Sequence, residues 1–173
     1  MGKKKAPKTN AMRLLDRAGV AYRSSTYATD GNVDALHVAS KLGVDPQQIF
    51  KTIVLETVGG GAASATDTHV VAVIGADHEL DLKKVAAHFG VKKVSLVDWR
   101  GLKDLTGYIR GGCSPIGMKR LFPTVIDTSA TEQEEIFVSA GEIGAQIVIS
   151  PRDLAEVIDA NFSPIHASHH DLA

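Results

Sequence analysis

The chain predicts a single α+β domain, with helices flanking one mixed, largely antiparallel sheet that curls toward a partial barrel. Three observations lead there. Capped helical periodicity dominates the first third, short β-branched runs dominate the last third, and 173 residues with no internal repeat suit one hydrophobic core.

Taken in order, residues 1–8 read as a disordered basic tail with little to bury. Thr9 or Asn10 caps a first helix whose apolar side is Met12, Leu14, Leu15 and Ala18, and Gly19 ends it. Tyr22 to Tyr27 alternates like a strand. Asp30-Gly31-Asn32 is a turn, after which Asn32 or Asp34 caps a second helix through Leu42, with Leu36, Ala39 and Leu42 at helical spacing and Gly43 closing it. Asp45-Pro46-Gln47-Gln48 opens a single helical turn and feeds the strand Ile49–Leu55. Gly59 to Ala65 reads as a hairpin tip before the strand His69–Gly75. These glycines precede a strand rather than a helix, which excludes a dinucleotide fingerprint.

Asp81 caps a helix from Leu82 to Phe89, and Gly90 stops it. Val94–Val97 is a short strand and Asp98–Leu105 a helix or helical turn. The stretch from Gly107 to Gly117 carries four glycines besides Pro115 and suits a docking loop or a plain connection. Strands are expected at Pro123–Asp127, Ile136–Ser139 and Ala145–Ile149, with a turn at Thr131–Glu135. Ser150-Pro151 then starts a final helix reaching about Ala160, and residues 166–173 form a flexible tail.

Composition narrows the function classes. With 44% hydrophobic and 23% charged residues the chain is an ordinary globular sequence, and its longest apolar runs fall short of a bilayer span. A single cysteine cannot form an intramolecular disulfide, and the opening Met-Gly-Lys-Lys-Lys-Ala has no signal-peptide core, so a cytoplasmic protein with no membrane partner is expected. Lys3, Lys4, Lys5 and Lys8 sit in the first eight residues, leaving 15 basic against 20 acidic residues in the body, which argues against a DNA coater. Between Lys83 and Arg120, however, nine basic residues face only Asp98 and Asp104. That block is either a solvated face or an anion-binding side around the glycine loop.

Among residues able to carry chemistry, Lys51 stands out because it interrupts an apolar strand. Alternation can place it on a solvated face, or a ligand anion can meet it. Cys113 lacks any signature of a base or a lowered pKa and reads as small apolar filler. His166, His169 and His170 show no metal-ligand spacing, so no metal or other cofactor is expected. Gly112 to Lys119 resembles a P-loop, but Met118 stands where the lysine belongs. Ser139 ends a strand before Ala140-Gly141, as a turn cap or a ligand contact.

Ile49-Phe-Lys51-Thr, Asp81-Leu-Lys-Lys-Val-Ala86, Gly107-Tyr-Ile-Arg-Gly-Gly-Cys-Ser-Pro-Ile-Gly117, Pro123-Thr-Val-Ile-Asp127 and Phe137-Val-Ser139 occur in order. Over roughly residues 10–165 this set resembles the YbaK/EbsC family of freestanding aminoacyl-tRNA editing domains, similar to the insertion domain of bacterial prolyl-tRNA synthetases. The resemblance implies an editing domain over 9–165 that cleaves the ester of mischarged tRNA, with Cys-tRNA(Pro) or Cys-tRNA(Cys) as leading substrates. Its alternatives are a deacylase for another small amino acid, such as Ala-tRNA(Pro), and a non-catalytic module binding an aminoacyl end or a small anion.

Within the resemblance, Lys51 matches an essential lysine, and Gly111 to Pro115 matches a Gly-x-x-x-Pro element. Backbone donors from Gly111, Gly112 and Ser114 then serve the ester oxygen, while water or the substrate's own thiol attacks. Tyr27, Pro115 and Ser139 are expected to bind substrate. Gln146 joins them at a position where the Cys-tRNA(Pro) branch tends to carry aspartate. The acceptor end of tRNA is the expected partner, contacted by Lys83, Lys84, Arg110, Lys119 and Arg120, with prolyl-tRNA synthetase as a transient second partner.

Overall fold

The structure is a computed structural model that describes residues 8–59 and 68–168. Local capping chemistry accounts for most of its helices. Helix α1 (Asn10–Ala18) has Thr9 accepting from the Met12 amide and ends on Gly19 at φ +70°. Helix α2 (Ala35–Leu42) ends the same way on Gly43, although Asp34 at its start makes no side-chain capping bond. Helix α3 (Leu82–Phe89) is capped by Asp81, which accepts from the amides of Lys83 and Lys84, and Gly90 closes it. Each of these helices stops on a glycine in the left-handed region, where other residues are strained.

The strands divide into two open sheets where a single curled one is expected. In the smaller, β1 (Arg23–Thr26), β7 (Ala145–Ile149) and β6 (Ile136–Ser139) lie in the order β1-β7-β6, all antiparallel. The larger runs β4-β2-β3-β5-β8. It contains β2 (Phe50–Val58), β3 (His69–Gly75), β4 (Lys93–Leu96), β5 (Thr124–Asp127) and β8 (Asn161–Ser163). The first three strands pair antiparallel, while β3–β5 and β5–β8 are parallel, so the mixed and largely antiparallel character holds. A parallel bridge between Ile49 and Phe137 joins the sheets at the start of β2.

The main core lies between the sheets and helices α1 and α5 (Pro151–Val157). Leu15, Ile116, Ile126, Ile136, Val138, Ile147 and Leu154 are fully buried in it. A second cluster packs Val85 and Ala86 of α3 against Leu55, Val70 and Val125 on the other side of the large sheet. Among the described residues, no helix is long and apolar enough to cross a membrane.

Several details depart from the pattern. Leu36 is 46% exposed, and Val38 and Ala39 form the buried side of α2 instead. The Asp98 segment splits into a 3-10 turn at Trp99–Gly101 and the short helix α4 (Leu102–Thr106). Helix α5 stops at Val157 rather than near Ala160, because the chain turns at Asp159, φ +53°, to enter β8. The expected hairpin tip lies mostly at residues 60–67, and Lys3, Lys4, Lys5, His169 and His170 also lie outside the described residues. Lys8, by contrast, pairs with Asp16 at 2.5 Å.

Residues 166 and 167, expected within a flexible tail, are instead held in place. Asp81 donates its amide to the Ile165 carbonyl, Ala167 donates to Glu79, and Leu80 bridges His166. Beneath this clamp Asp127 is fully buried. Its oxygens accept from the Ile165 amide at 2.9 Å, the Ser129 hydroxyl at 2.5 Å and Nδ1 of His166 at 3.0 Å. Burial alone would push the Asp127 carboxyl up, but the bonds from Ser129, Ile165 and His166 outweigh it and hold the group below the ordinary carboxylate range.

A carboxyl lowered by folding stabilises the fold above its unfolded pKa, about 4, and that stabilisation is lost as pH falls through the folded value. Asp127→Asn is therefore expected to cost about 1–3 kcal/mol at neutral pH and to flatten the decline of stability in acid. Urea denaturation from pH 7 to pH 3 measures both. Parallel curves for the two proteins would contradict the assignment.

Candidate active site

The glycine stretch is a loop held shut by one side chain. Tyr108 is buried and donates its hydroxyl to the Ile116 carbonyl at 2.6 Å, while its amide donates to the Thr106 hydroxyl at 3.0 Å. Asn10 of α1 donates to the Gly117 carbonyl at 3.0 Å, and the Lys119 amide donates to Thr106 at 2.9 Å. These bonds close the loop at its base. Its far end needs glycine: Gly111 has φ +85°, and a Cβ there would lie 2.6 Å from Cγ1 of Val33. Gly141 passes equally close over the Tyr108 ring, leaving 2.7 Å to an added Cβ.

This loop forms one wall of a cavity of about 1000 Å³. Ile49 to Thr52 of β2 form another wall, and the approach to α2 from Asp30 to Ala35 lies opposite. Ser139 and Gln146, cross-strand partners in β6 and β7, complete it. The site therefore sits where the bridge Ile49–Phe137 brings the two sheets together.

Of the expected site residues, Lys51, Gly111, Ser139, Gln146 and Arg110 all line the cavity. Lys51 is half-buried, and among the described residues no carboxylate pairs with it. Arg110 is likewise without a carboxylate partner there. Ser139 accepts from the Gly141 amide at 3.1 Å, so it caps its turn as well as facing the cavity.

The structure does not bring the other candidates to the same wall. Ser114 is fully buried, and its hydroxyl accepts from the Ile116 amide inside the loop. Gly112 spends its N–H on the Ile109 carbonyl at 3.0 Å. Pro115 borders a separate small hollow with Leu14 and Met118. Tyr27 stands at the end of β1, donating its amide to Gly144.

The basic candidates are also spread out. Lys83 and Lys84 open α3, with Nζ of Lys84 donating to the His166 carbonyl at 2.9 Å. Lys119 reaches the Asp104 carbonyl at 3.4 Å, and the Arg120 guanidinium lies 5.6 Å from the centre of the Phe122 ring. Gly111 and Cys113 line the cavity at the glycine wall, and neither has a hydrogen-bond partner for its N–H among the described residues.

Two features escaped the sequence reading. Asp30, flagged only as a turn residue, lines the cavity and is held by Nε2 of His37 at 2.7 Å and by Lys41 at 3.2 Å. The hydrogen bond to His37 leads the causes that place its carboxyl below the ordinary range. Thr52 lines the cavity too, and the signal for it was present: it is the polar member of the otherwise apolar row Phe50, Thr52, Val54.

A group able to share a cation among the described residues is His78, Asp127 and His166, whose ligand atoms lie within 4.8 Å of one another. None of the three lines the cavity, and both Asp127 oxygens already accept hydrogen bonds.

Cys113 lines the cavity but is buried, and burial pushes its thiol up to about 12 against a weaker opposing bond from Thr106. The nucleophilic thiolate is therefore scarce near neutral pH. Iodoacetamide at pH 8 should alkylate the folded protein more than about 100-fold slower than the urea-unfolded chain. Equal rates would show a reactive thiol and contradict this environment.

Comparison with known proteins fits the geometry. Residues 31–157 match the aminoacyl-tRNA editing domain family. EbsC of Enterococcus faecalis, named as a Cys-tRNA(Pro)/Cys-tRNA(Cys) deacylase, is 43% identical over 167 residues, covering 95% of this chain and 98% of that protein. ProXp-y of Escherichia coli K12, named as a multifunctional Ser/Thr-tRNA deacylase, is 27% identical over 83% of each chain. A solved structure described as a trans-editing enzyme for prolyl tRNA synthetase shares the fold, with a TM-score of 0.79 at 18% identity over 92% of this chain and 96% of that one.

Proposed function

The chain belongs to the aminoacyl-tRNA editing domain family, and from that premise we propose that it is a trans-editing deacylase that hydrolyses the ester of mischarged tRNA. Cysteine carried by tRNA(Pro) or tRNA(Cys) is the leading substrate, by the likeness to EbsC. The observation that carries this reading is the cavity in which Lys51, without a carboxylate partner, shares a wall system with the Gly111–Cys113 backbone.

Ester hydrolysis adds water oxygen to the aminoacyl carbonyl carbon, forms an oxyanion, and then expels the terminal ribose oxygen, which takes up a proton. The products are the free amino acid and uncharged tRNA. Backbone N–H groups of Gly111 and Cys113 stabilise the oxyanion, each such donor being worth about 2.7–4 kcal/mol. Lys51 brings its ammonium to the oxygens of the terminal adenosine and offsets the charge that develops as the ribose oxygen departs. Neither Cys113 nor a metal is needed for these steps.

Recognition of the tRNA body is electrostatic in this account. Arg110 at the cavity and Lys119 and Arg120 just beyond the loop face the acceptor-stem phosphates, which position the substrate without reading its sequence. Identity of the tRNA is then left to a synthetase partner such as prolyl-tRNA synthetase.

Deacylation of Cys-tRNA(Pro) under single-turnover conditions tests the reading. Lys51→Ala is expected to slow it at least about 100-fold, and Gly111→Ala to do the same while losing about 1–2 kcal/mol of stability from its left-handed backbone. Affinity for tRNA should fall steeply with added salt. Full activity in Lys51→Ala, or salt-independent binding, would overturn the assignment.

A further inference from the structure

The parallel strands β3, β5 and β8 lie side by side in the large sheet, and their carboxyl ends bring three metal-binding side chains together. Asp127 is the last residue of β5, His78 follows the end of β3 at Gly75, and His166 follows the end of β8 at Ser163. One ligand atom from each lies within 4.8 Å of the other two. Open sheets with parallel strands bind ligands outside the carboxyl ends of those strands, so the cluster stands where a bound group is expected. It shares no residue with the lining of the cavity at the glycine loop.

Each side chain is held there by its own surroundings. The buried Asp127 carboxylate accepts from the Ser129 hydroxyl at 2.5 Å on one oxygen and from the Ile165 amide at 2.9 Å on the other, bonds that orient it without His166. An ionised carboxylate offers about four lone-pair sites, so capacity remains on the side that faces the imidazole. Nδ1 of His166 lies 3.0 Å from both oxygens, and Nζ of Lys84 fixes its backbone by donating to the His166 carbonyl at 2.9 Å. His78 turns back onto the end of β3 by donating its amide to the Gly75 carbonyl at 3.1 Å, and a Cβ at Gly75 would lie 3.2 Å from its ring. That ring stacks on His166 with centres 4.4 Å apart, and its side chain is 31% exposed.

Zinc takes imidazole nitrogen and carboxylate oxygen at about 2.0–2.2 Å, which sets neighbouring ligand atoms of a tetrahedral site about 3.3 Å apart. The Asp127–His166 spacing of 3.0 Å is already close to that value. Stacked rings do not aim their lone pairs at one point, so the partly exposed His78 ring swings out of the stack to close the third contact. The neutral imidazole of His166 gives up its hydrogen bond to Asp127 and carries its proton on Nε2 when an ion takes that place. Asp77, 3.8 Å from Nε2 of His78, adds a second carboxylate beside a dication. Two imidazoles with one carboxylate suit zinc and similar borderline metals, whereas magnesium and calcium prefer oxygen ligands alone.

We propose that Asp127, His166 and His78 form a site for a zinc-class divalent metal ion with one coordination position open to solvent, and that the ion fastens the segment around His166 to the ends of β3 and β5. The site is independent of the editing reading, because it needs no tRNA and no residue of the cavity.

The test titrates chelator-stripped, full-length protein with cobalt(II), whose visible bands report coordination by protein ligands, and then measures zinc affinity by competition. One ion per chain is expected. His78→Gln and His166→Gln should each weaken zinc binding at least about 100-fold, and Ser129→Ala, which removes only a bond that orients Asp127, should weaken it about tenfold. The double variant His169→Gln/His170→Gln keeps all three ligands and should bind as the parent does. His78→Gln carries the decision, since His166→Gln also breaks a hydrogen bond to the buried Asp127. A cobalt spectrum no different from that of the free aqueous ion, or equal zinc affinity in His78→Gln and the parent, would overturn the inference. Loss of binding in the His169→Gln/His170→Gln variant alone would place the ion on the C-terminal histidines and overturn it as well.

Discussion

The hydrogen bond from the buried Tyr108 hydroxyl to the Ile116 carbonyl governs the geometry on which the site depends. It ties the two ends of the glycine loop together, and the same ring supports Gly141 of the turn between β6 and β7 at a distance that admits no side chain. Through that contact the loop and the strands carrying Ser139 and Gln146 are fixed relative to each other. Gly111 then occupies a left-handed conformation against Val33, which anchors the loop to the approach into α2. The loop wall, the approach to α2 and the turn between β6 and β7 are thus referred to one aromatic strut and two residues that lack a Cβ.

On this frame the electrostatics divide cleanly. The body of the chain carries more acidic than basic residues, yet Lys51 and Arg110 reach the cavity without carboxylate partners among the described residues. Asp30 lies in the same cavity and is engaged by His37 and Lys41. Cys113, in the middle of the loop, is held as a neutral thiol by burial. The cavity lining consequently combines cations and backbone donors with a cysteine kept as the neutral thiol.

What the sequence disclosed is what short-range physics determines. Helices α1 and α3 begin at Thr9 and Asp81 and end at Gly19 and Gly90, because the cap and the left-handed stop act within a few residues. Strand β3 spans His69–Gly75 as its apolar run predicts. Strand β8, three residues long, exists only because β5 lies beside it, and the division into two sheets depends on pairings far apart in sequence.

At the site, Lys51, Gly111 and Ser139 were legible as chemical oddities in their local runs. Ser114, Pro115 and Tyr27 looked equally suitable, but none of the three lines the cavity, a placement that depends on how the loop and β1 pack. Whether a backbone N–H is free, as at Gly111, or consumed by a turn, as at Gly112, is a tertiary fact with no trace in composition. His166 misled for a related reason: a histidine-rich terminus reads as solvated until the buried Asp127 that holds it is seen.

The central claim is that the cavity between the Gly111 loop and the start of β2 receives the aminoacyl end of tRNA. A crystal structure of the protein with an amide-linked 3′-aminoacylamino-adenosine tests it most directly. The account predicts the carbonyl oxygen within about 3 Å of the Gly111 and Cys113 amides, with the Lys51 ammonium on the adenosine oxygens. A ligand bound elsewhere on the surface, or one whose carbonyl faces away from that backbone, would contradict it.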